Sequence, residues 1–144
     1  MLQPLSDQQK GDLLQQAKTI AVVGLSPKPE RPSHTIAKFL QRANYRVVPV
    51  RPGIKELLGE TVYKTVNTIP FPVDLVNVFR APQHVPEIVD QCIEARVPAI
   101  WLQEGVVHND AAERAQKAGI SIIMDECIYK EIIRLGIHDQ EVIK

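Results

Sequence analysis

Residues 20–34 read Ile-Ala-Val-Val-Gly-Leu-Ser-Pro-Lys-Pro-Glu-Arg-Pro-Ser-His. The four apolar residues that open this stretch are typical of a strand that is buried on both faces of a parallel sheet. Gly24 then allows a tight turn, three prolines stiffen the loop, and a helical pattern begins at about Ser33. A buried strand that leads through a glycine turn into a helix predicts the first βα unit of an α/β fold.

Further apolar runs of strand length follow along the chain, at residues 45–50, 73–79, 99–102 and 120–124. Between the runs, apolar residues recur at the spacing of one buried helix face, as in Ile36, Phe39, Leu40 and Ala43. Strand and helix thus alternate with short connections. We therefore predict a Rossmann-like, doubly wound, five-stranded parallel sheet with helices on both faces.

Two local features refine this prediction. Asn109 is expected to cap the helix before the fifth strand, and Gly119 to end it. The segment 53–72 shows no clean helical stripe, so we expect an irregular crossover there with a short strand near residues 61–63.

The chain has 144 residues, the size of one domain, and we expect residues 1–144 to form a single domain with an N-terminal helix in 1–18 and a C-terminal helix and tail in 126–144. Seventeen Lys and Arg residues balance seventeen Asp and Glu residues, so no long-range field favours nucleic acid or an anionic membrane as a partner. The sequence has neither a transmembrane run nor a secretory signal, and we expect a cytoplasmic protein. The two cysteines and four histidines lack metal-ligand spacing, so no metal site is expected.

In a doubly wound sheet the ligand crevice lies beyond the carboxyl ends of the strands, where the strand order reverses. The loop after the first strand has neither a Gly-x-Gly-x-x-Gly cradle nor a Walker A motif. Its remaining amides, its hydroxyls and its cations Lys28 and Arg31 could hold a pyrophosphate, and His34 could donate to a phosphate oxygen. The alternative is that Gly24 only permits a turn, Ser33 only caps the helix, and both cations are solvated.

The second strand ends in Pro-Val-Arg-Pro at residues 49–52. An NAD-binding fold places an acidic residue near this point, whereas Arg51 suits the phosphorylated ribose of NADP or coenzyme A, with Lys55 assisting. The alternative is an exposed arginine at a strand end.

Two further loops carry reactive residue types. Glu104 follows the fourth strand and could act as a general base, but no partner is evident, and local hydrogen bonding is the alternative. Cys127 begins the last helix, where a thiol is activated if it is exposed, and inert burial is the alternative. We recognise no catalytic constellation and assign no catalytic residue.

At these loops the chain resembles the CoA-binding domain family, the small stand-alone relatives of the N-terminal domain of the succinyl-CoA synthetase alpha subunit. The resemblance runs from about residue 19 to 131 and rests on six ordered matches. They are Ala21-Val-Val-Gly-Leu-Ser-Pro-Lys-Pro-Glu-Arg-Pro-Ser-His34, Tyr45-Arg-Val-Val-Pro-Val-Arg-Pro52, Leu58-Gly-Glu-Thr-Val-Tyr63, Val73-Asp-Leu-Val-Asn-Val-Phe-Arg80, Trp101-Leu-Gln-Glu-Gly105 and Met124-Asp-Glu-Cys127.

The resemblance implies a Rossmann-type fold that binds coenzyme A, with the loop 24–33 at the pyrophosphate, the loop after Val50 near the adenosine, and the later loops along the pantetheine path. Relatives usually have Asn where this chain has Arg51, so contacts to the adenosine there are expected to differ. The phosphorylatable histidine of a synthetase belongs to a further domain, so the resemblance implies binding without an assigned reaction. The residues expected to bind the cofactor are Gly24, Leu25, Ser26, Pro27, Lys28, Arg31, Ser33, His34, Val50, Arg51, Pro52, Lys55, Phe79, Arg80, Gln103, Glu104 and Gly105.

Three functions follow as hypotheses. The first is a cytoplasmic protein that binds CoA or acyl-CoA to regulate or deliver it, with no protein partner named. The second is a small NADP-dependent oxidoreductase, which Arg51 and the doubly wound pattern would suit. The third is thiol chemistry, in which Cys127 forms a mixed disulfide with CoA under oxidative stress.

Overall fold

The computed structural model describes residues 2–137, so the predicted tail from residue 138 onward lies outside the described residues. Five parallel strands form the central sheet, and their apolar side chains are buried on both faces. The strands are β1 (Thr19–Val23), β2 (Arg46–Val50), β5 (Leu75–Val78), β6 (Ala99–Leu102) and β7 (Ser121–Ile123). Each lies within one residue of, or inside, the predicted range.

The strands lie in the order β2-β1-β5-β6-β7. From β1 the chain moves outward to β2 on one side and then returns to build β5, β6 and β7 on the other. The strand order therefore reverses between β1 and β5, and the carboxyl ends of these two neighbours define the expected ligand crevice.

Helices cover both faces of the sheet, as predicted. One face packs against α1 (Asp7–Gln16), α2 (Pro32–Arg42) and α5 (Ile128–Arg134). The other face packs against α3 (Val85–Glu94) and α4 (Asn109–Lys117). The doubly wound α/β fold is thus confirmed.

The irregular crossover after β2 contains a small antiparallel hairpin, β3 (Glu56–Leu57) and β4 (Glu60–Thr61). Leu58 and Gly59 turn the hairpin with positive φ angles of 54° and 77°, the pairing that a tight two-residue turn requires. The strand expected near residues 61–63 therefore lies slightly earlier, and Tyr63 adds a parallel bridge to Val50.

The helix α4 corrects the predicted cap. His108, and not Asn109, is the N-cap, and its Nδ1 accepts a hydrogen bond from the Ala111 amide at 3.1 Å. Gly119 follows the end of this helix with φ 85°, as expected of a C-terminal stop.

Two ion pairs attach α1 to α5. They are Lys10 with Glu131 at 3.2 Å and Arg134 with Asp7 at 2.7 Å. Lys10 Nζ also lies 2.6 Å from Glu126, just before α5, and Arg134 also pairs with Glu131 at 2.7 Å within α5. The hydrogen bond from Arg134, with help from Lys10, lowers the pKa of Glu131 to about 2.

Candidate functional site

The turn after β1 brings two loops into direct contact at the switch point. Gly24 has φ 83°, and a Cβ placed there would lie 2.5 Å from the Phe79 carbonyl oxygen and 2.9 Å from Arg80 Cδ. Its amide donates to the Val50 carbonyl at 2.9 Å. Glycine is therefore needed here both for the backbone angle and for the close approach of the β1 and β5 loops.

The loop between Gly24 and α2 holds its shape with its own polar groups. The Ser26 amide donates to Ser33 Oγ at 3.0 Å, and the Lys28 amide donates to Ser26 Oγ at 3.1 Å. His34 Nδ1 lies 2.9 Å from the Ser26 carbonyl oxygen, which can only accept, so Nδ1 carries the proton. The loop is thus fixed by three hydrogen bonds from two serines and a buried histidine.

These bonds show how the polar groups of the loop are used in the free protein. The amides of Ser26 and Lys28 donate to serine hydroxyls within the loop. Ser33 does not cap α2, whose N-cap is Arg31 without a side-chain cap bond. His34 is buried and directs Nδ1 to the loop itself, so a phosphate could receive a bond only from its other ring nitrogen.

The hydroxyls of Ser26 and Ser33 can still donate hydrogen bonds to a ligand. Each oxygen accepts one amide, and a hydroxyl that accepts still has its proton to donate. Ser26 is half-buried and Ser33 is buried at the first turn of α2, where the positive end of the helix dipole favours anions.

Cations from two different loops surround this position. Lys28 and Arg31 are exposed on the first loop, and Arg51 reaches back from the end of β2, its guanidinium donating to the carbonyls of Leu25 at 3.4 Å and Pro52 at 3.0 Å. Together they line a groove of about 400 Å³ at the carboxyl edge of the sheet. The lining residues are Gly24, Ser26, Pro27, Lys28, Arg31, Pro32, Ser33, Arg51 and Phe79.

Most of the predicted cofactor residues from the first three loops thus meet in one groove. Val50 and Leu25 are buried behind it, Arg80 packs against Gly24, and Pro52 supports Arg51 through its carbonyl. Lys55 is exposed on the segment before β3 and does not line the groove. Pro32 also lines the groove, although it was not predicted as a site residue.

The loop after β6 does not line the groove, and its polar groups make local hydrogen bonds, which is the alternative that the sequence left open for Glu104. Gln103 is buried, and its Oε1 accepts from the Ile128 amide at 3.1 Å, which ties β6 to the start of α5. Glu104 pairs with Lys130 at 3.0 Å, and this hydrogen bond raises the pKa of Lys130. The Gly105 amide donates to Asp125 at 2.7 Å.

Asp125, in the Met124–Cys127 motif, has a structural part in this loop that the sequence did not indicate. It holds a positive φ of 59° while it receives the Gly105 amide, so it fixes the loop after β6. Cys127 beside it is buried, as is Cys92 within the core, so inert burial is the better description of both thiols in this structure.

A larger cleft of about 880 Å³ lies at the opposite edge, where the strands begin. Asp12 and Asp74 contribute carboxylates to its lining, and none of the lining residues is Lys or Arg. An anionic ligand is therefore better served by the smaller groove than by the larger cleft.

The described residues also bear on two other classes of site. Of the helices within residues 2–137, none combines the length and apolar character that a bilayer crossing requires. Across the same residues, no three His, Cys, Asp or Glu side chains come together as metal ligands.

Comparison with known proteins was made by sequence and by structure. YneT of Bacillus subtilis (strain 168), an uncharacterized protein, is 40% identical over 117 residues, covering 81% of this chain and 87% of that protein. The alpha subunit of the ADP-forming acetate–CoA ligase I of Pyrococcus furiosus is 30% identical over 122 residues, covering 74% of this chain and 26% of that subunit. This chain thus spans about a quarter of the ligase subunit.

The fold is shared with solved structures as well. A hypothetical protein from Pyrococcus horikoshii OT3 superposes with a TM-score of 0.88 at 34% identity, covering 94% of this chain and 97% of that one. A family model described as "CoA binding domain" matches residues 18–133, which include every strand of the sheet and the whole carboxyl-edge groove. The chain therefore belongs to the CoA-binding domain family.

Proposed function

We propose that this is a cytoplasmic protein that binds coenzyme A or acyl-CoA in the carboxyl-edge groove and catalyses no reaction of its own. One observation carries the proposal: Lys28, Arg31 and Arg51 converge from two loops on a groove beside two serine hydroxyls in a chain of zero net charge. Positive charge is concentrated where the strand order reverses, and CoA presents its phosphates at one end.

The pyrophosphate is assigned to the loop between Gly24 and Ser33. Lys28 and Arg31 can neutralise its charge, while the hydroxyls of Ser26 and Ser33 donate to its oxygens beside the start of α2. Each charge-assisted hydrogen bond contributes about 1.5–3 kcal/mol, and part of this gain offsets the entropy lost on association.

Arg51 is assigned to the 3′-phosphate of the adenosine ribose. Its guanidinium is held over the first loop by the carbonyls of Leu25 and Pro52, which leaves other N–H groups of its five free to meet a phosphate. The pantetheine arm would leave this region past Phe79 and Arg80 toward the loop at residues 103–105.

The absence of catalysis in this proposal is supported by the contacts of the two reactive side chains, Glu104 and Cys127. The Glu104 carboxylate is engaged by Lys130, and the Cys127 thiol is buried. The comparisons lend no specific support to the oxidoreductase alternative, and Arg51 serves CoA as well as it serves NADP.

Calorimetric titration of the purified protein with CoA, dephospho-CoA and NADPH tests the proposal. We expect CoA to bind, and Arg51→Ala to weaken CoA about tenfold while weakening dephospho-CoA less, because only CoA carries the 3′-phosphate.

Arg114→Ala is the matched control, since it removes an exposed arginine of α4 that bonds Asp90 and the Pro86 carbonyl away from the groove. A folded wild-type protein that does not bind CoA at millimolar concentration would end the proposal. Equal losses for CoA and dephospho-CoA in Arg51→Ala would end the assignment of the 3′-phosphate.

A further inference from the structure

Asn77 is a polar residue in the middle of the central strand β5. Its side chain is fully buried, and within the described part of the chain neither Oδ1 nor Nδ2 has a hydrogen-bond partner. A buried polar group without a partner destabilises a protein by about 1–3 kcal/mol, and such groups are rare in native proteins. The position therefore needs an explanation other than folding.

The surroundings of Asn77 offer it no partner. The register places Val22 of β1 on one side and Trp101 of β6 on the other. The Trp101 indole N–H already donates to the Glu126 carbonyl at 2.8 Å. An apolar residue would fit this place better for stability alone.

Asn77 lies on β5 two residues before Phe79, which lines the carboxyl-edge groove. Side chains alternate along a strand, so Leu75, Asn77 and Phe79 share one face, and Phe79 lines the groove. Two residues of strand span about 7 Å, which is the separation expected between the Asn77 and Phe79 Cα atoms. Phe79 is half-buried, and it is the groove residue nearest to Asn77 along this strand.

A carboxamide is suited to one part of coenzyme A in particular. It has two N–H donors and an oxygen acceptor, and it can pair with a secondary amide through one donated and one accepted bond. The arm of CoA beyond its pyrophosphate contains two secondary amides, whereas the adenosine end contains none.

We propose that Asn77 binds an amide of the pantetheine arm, and that the Phe79 side chain moves aside to admit it. The inference rests on the proposed function. It adds to that function a polar residue that binds the pantetheine arm, whereas the neighbouring side chains of the sheet are apolar. The cost of the unpartnered amide in the free protein is then recovered when CoA binds.

The test compares two ligands on the full chain carrying Asn77→Leu. Adenosine 3′,5′-bisphosphate has the phosphorylated ribose and lacks the arm, so it reports the adenosine end alone. We expect Asn77→Leu to melt at or above the temperature of the wild type, to weaken CoA at least about tenfold, and to leave the bisphosphate affinity unchanged.

Ile132→Val is the control for small changes in the same apolar core, and we expect it to leave both affinities unchanged. Asn77→Val repeats the test with a smaller side chain if the leucine does not fit. Unchanged CoA affinity in a folded Asn77 variant, or equal losses for CoA and the bisphosphate, would overturn the inference. A wild type that binds neither ligand would instead remove the proposed function itself.

Discussion

The two clefts at opposite edges of the sheet differ in size and in charge. The cleft at the strand beginnings measures about 880 Å³ and is lined by amides, apolar groups and the carboxylates of Asp12 and Asp74. The groove at the strand ends measures about 400 Å³ and contains Lys28, Arg31 and Arg51. The larger opening is therefore the less suitable one for a phosphorylated ligand.

The difference follows from the direction of the strands. In a parallel sheet every crossover helix starts near the carboxyl edge, so helix N-termini and the loops before them gather there. Helix C-termini gather at the other edge, as Gln16 of α1 and Gly119 after α4 do in the larger cleft. Chain direction, and not volume, decides which edge suits an anion.

The largest effect is expected from glycine substitutions, because each cleft contains a glycine with positive φ. Gly24→Ala should destabilise the protein by more than about 2 kcal/mol and abolish CoA binding, since its Cβ would meet the Phe79 carbonyl at 2.5 Å. Gly119→Ala has the same kind of backbone angle with nothing within 4 Å, so it should cost about 1 kcal/mol and leave CoA binding intact. Thermal unfolding and calorimetry measure both effects.

Each alanine variant is the control for the other, since both add a Cβ atom, one at each edge of the sheet. Equal stability losses in both would show that the close approach of the β1 and β5 loops contributes nothing. Loss of CoA binding in Gly119→Ala alone would move the ligand to the larger cleft.

An intermediate effect is expected from the groove cations. Lys28→Ala combined with Arg31→Ala should weaken CoA between about tenfold and a hundredfold, because both residues are exposed and act on the phosphates. The variant should also reduce the dependence of the CoA affinity on salt, since fewer charges remain to be screened.

Arg114→Ala combined with Lys117→Ala removes the same charge from α4 and is the matched control. Calorimetric CoA affinities of both double variants at two salt concentrations distinguish the effect of contacts in the groove from the effect of net charge. Equal losses in both double variants would mean that overall charge, and not the groove, attracts the ligand.

The smallest effect concerns acid stability at the α1–α5 contact. The pKa of Glu131 is about 2 in the folded protein and near 4.5 when unperturbed, so its stabilising contribution is present above pH 4.5 and is lost as the pH falls toward 2. Glu131→Gln should lower the free energy of unfolding by about 1 kcal/mol at pH 7, a small value because Arg134 is half-exposed and solvent screens the ion pair. Near pH 2 the substitution should make little difference to the free energy of unfolding.

The stability difference between Glu131→Gln and the wild type should shrink as the pH falls, and unfolding midpoints from pH 7 to pH 2 measure it. A constant gap between Glu131→Gln and the wild type across that range would show that the ion pairs with Lys10 and Arg134 contribute no pH dependence. CoA affinity at pH 7 should stay unchanged, because α5 contributes no residue to the groove lining.

The sheet could be predicted from the sequence because its signals are local and repeated. Each strand is a short apolar run, and alternation with amphipathic stripes such as that of α2 leaves few possible topologies. The position of the groove follows from the same rule, since parallel strand ends share one edge. Arg51 could be placed there because it follows its strand directly.

The use of individual polar groups could not be predicted in the same way. Whether the Ser26 amide faces a ligand or Ser33 depends on the path of the chain between these two residues, which are seven positions apart, and no periodicity encodes that path. His108 replaces Asn109 as a cap because a shift of one residue changes which side chain reaches the Ala111 amide. Gln103 likewise bonds a helix that begins 25 residues later.

The bonds among Ser26, Ser33 and His34 bear on how binding is distributed along the ligand. A loop that satisfies its own polar groups is preorganised, so the phosphate end loses mainly the side-chain entropy of Lys28 and Arg31 on association. In the proposed binding mode, the Phe79 side chain has to move before the arm reaches Asn77. Recognition would then proceed in order, with the nucleotide docking fast on a rigid surface and the arm following at a rate that the protein sets.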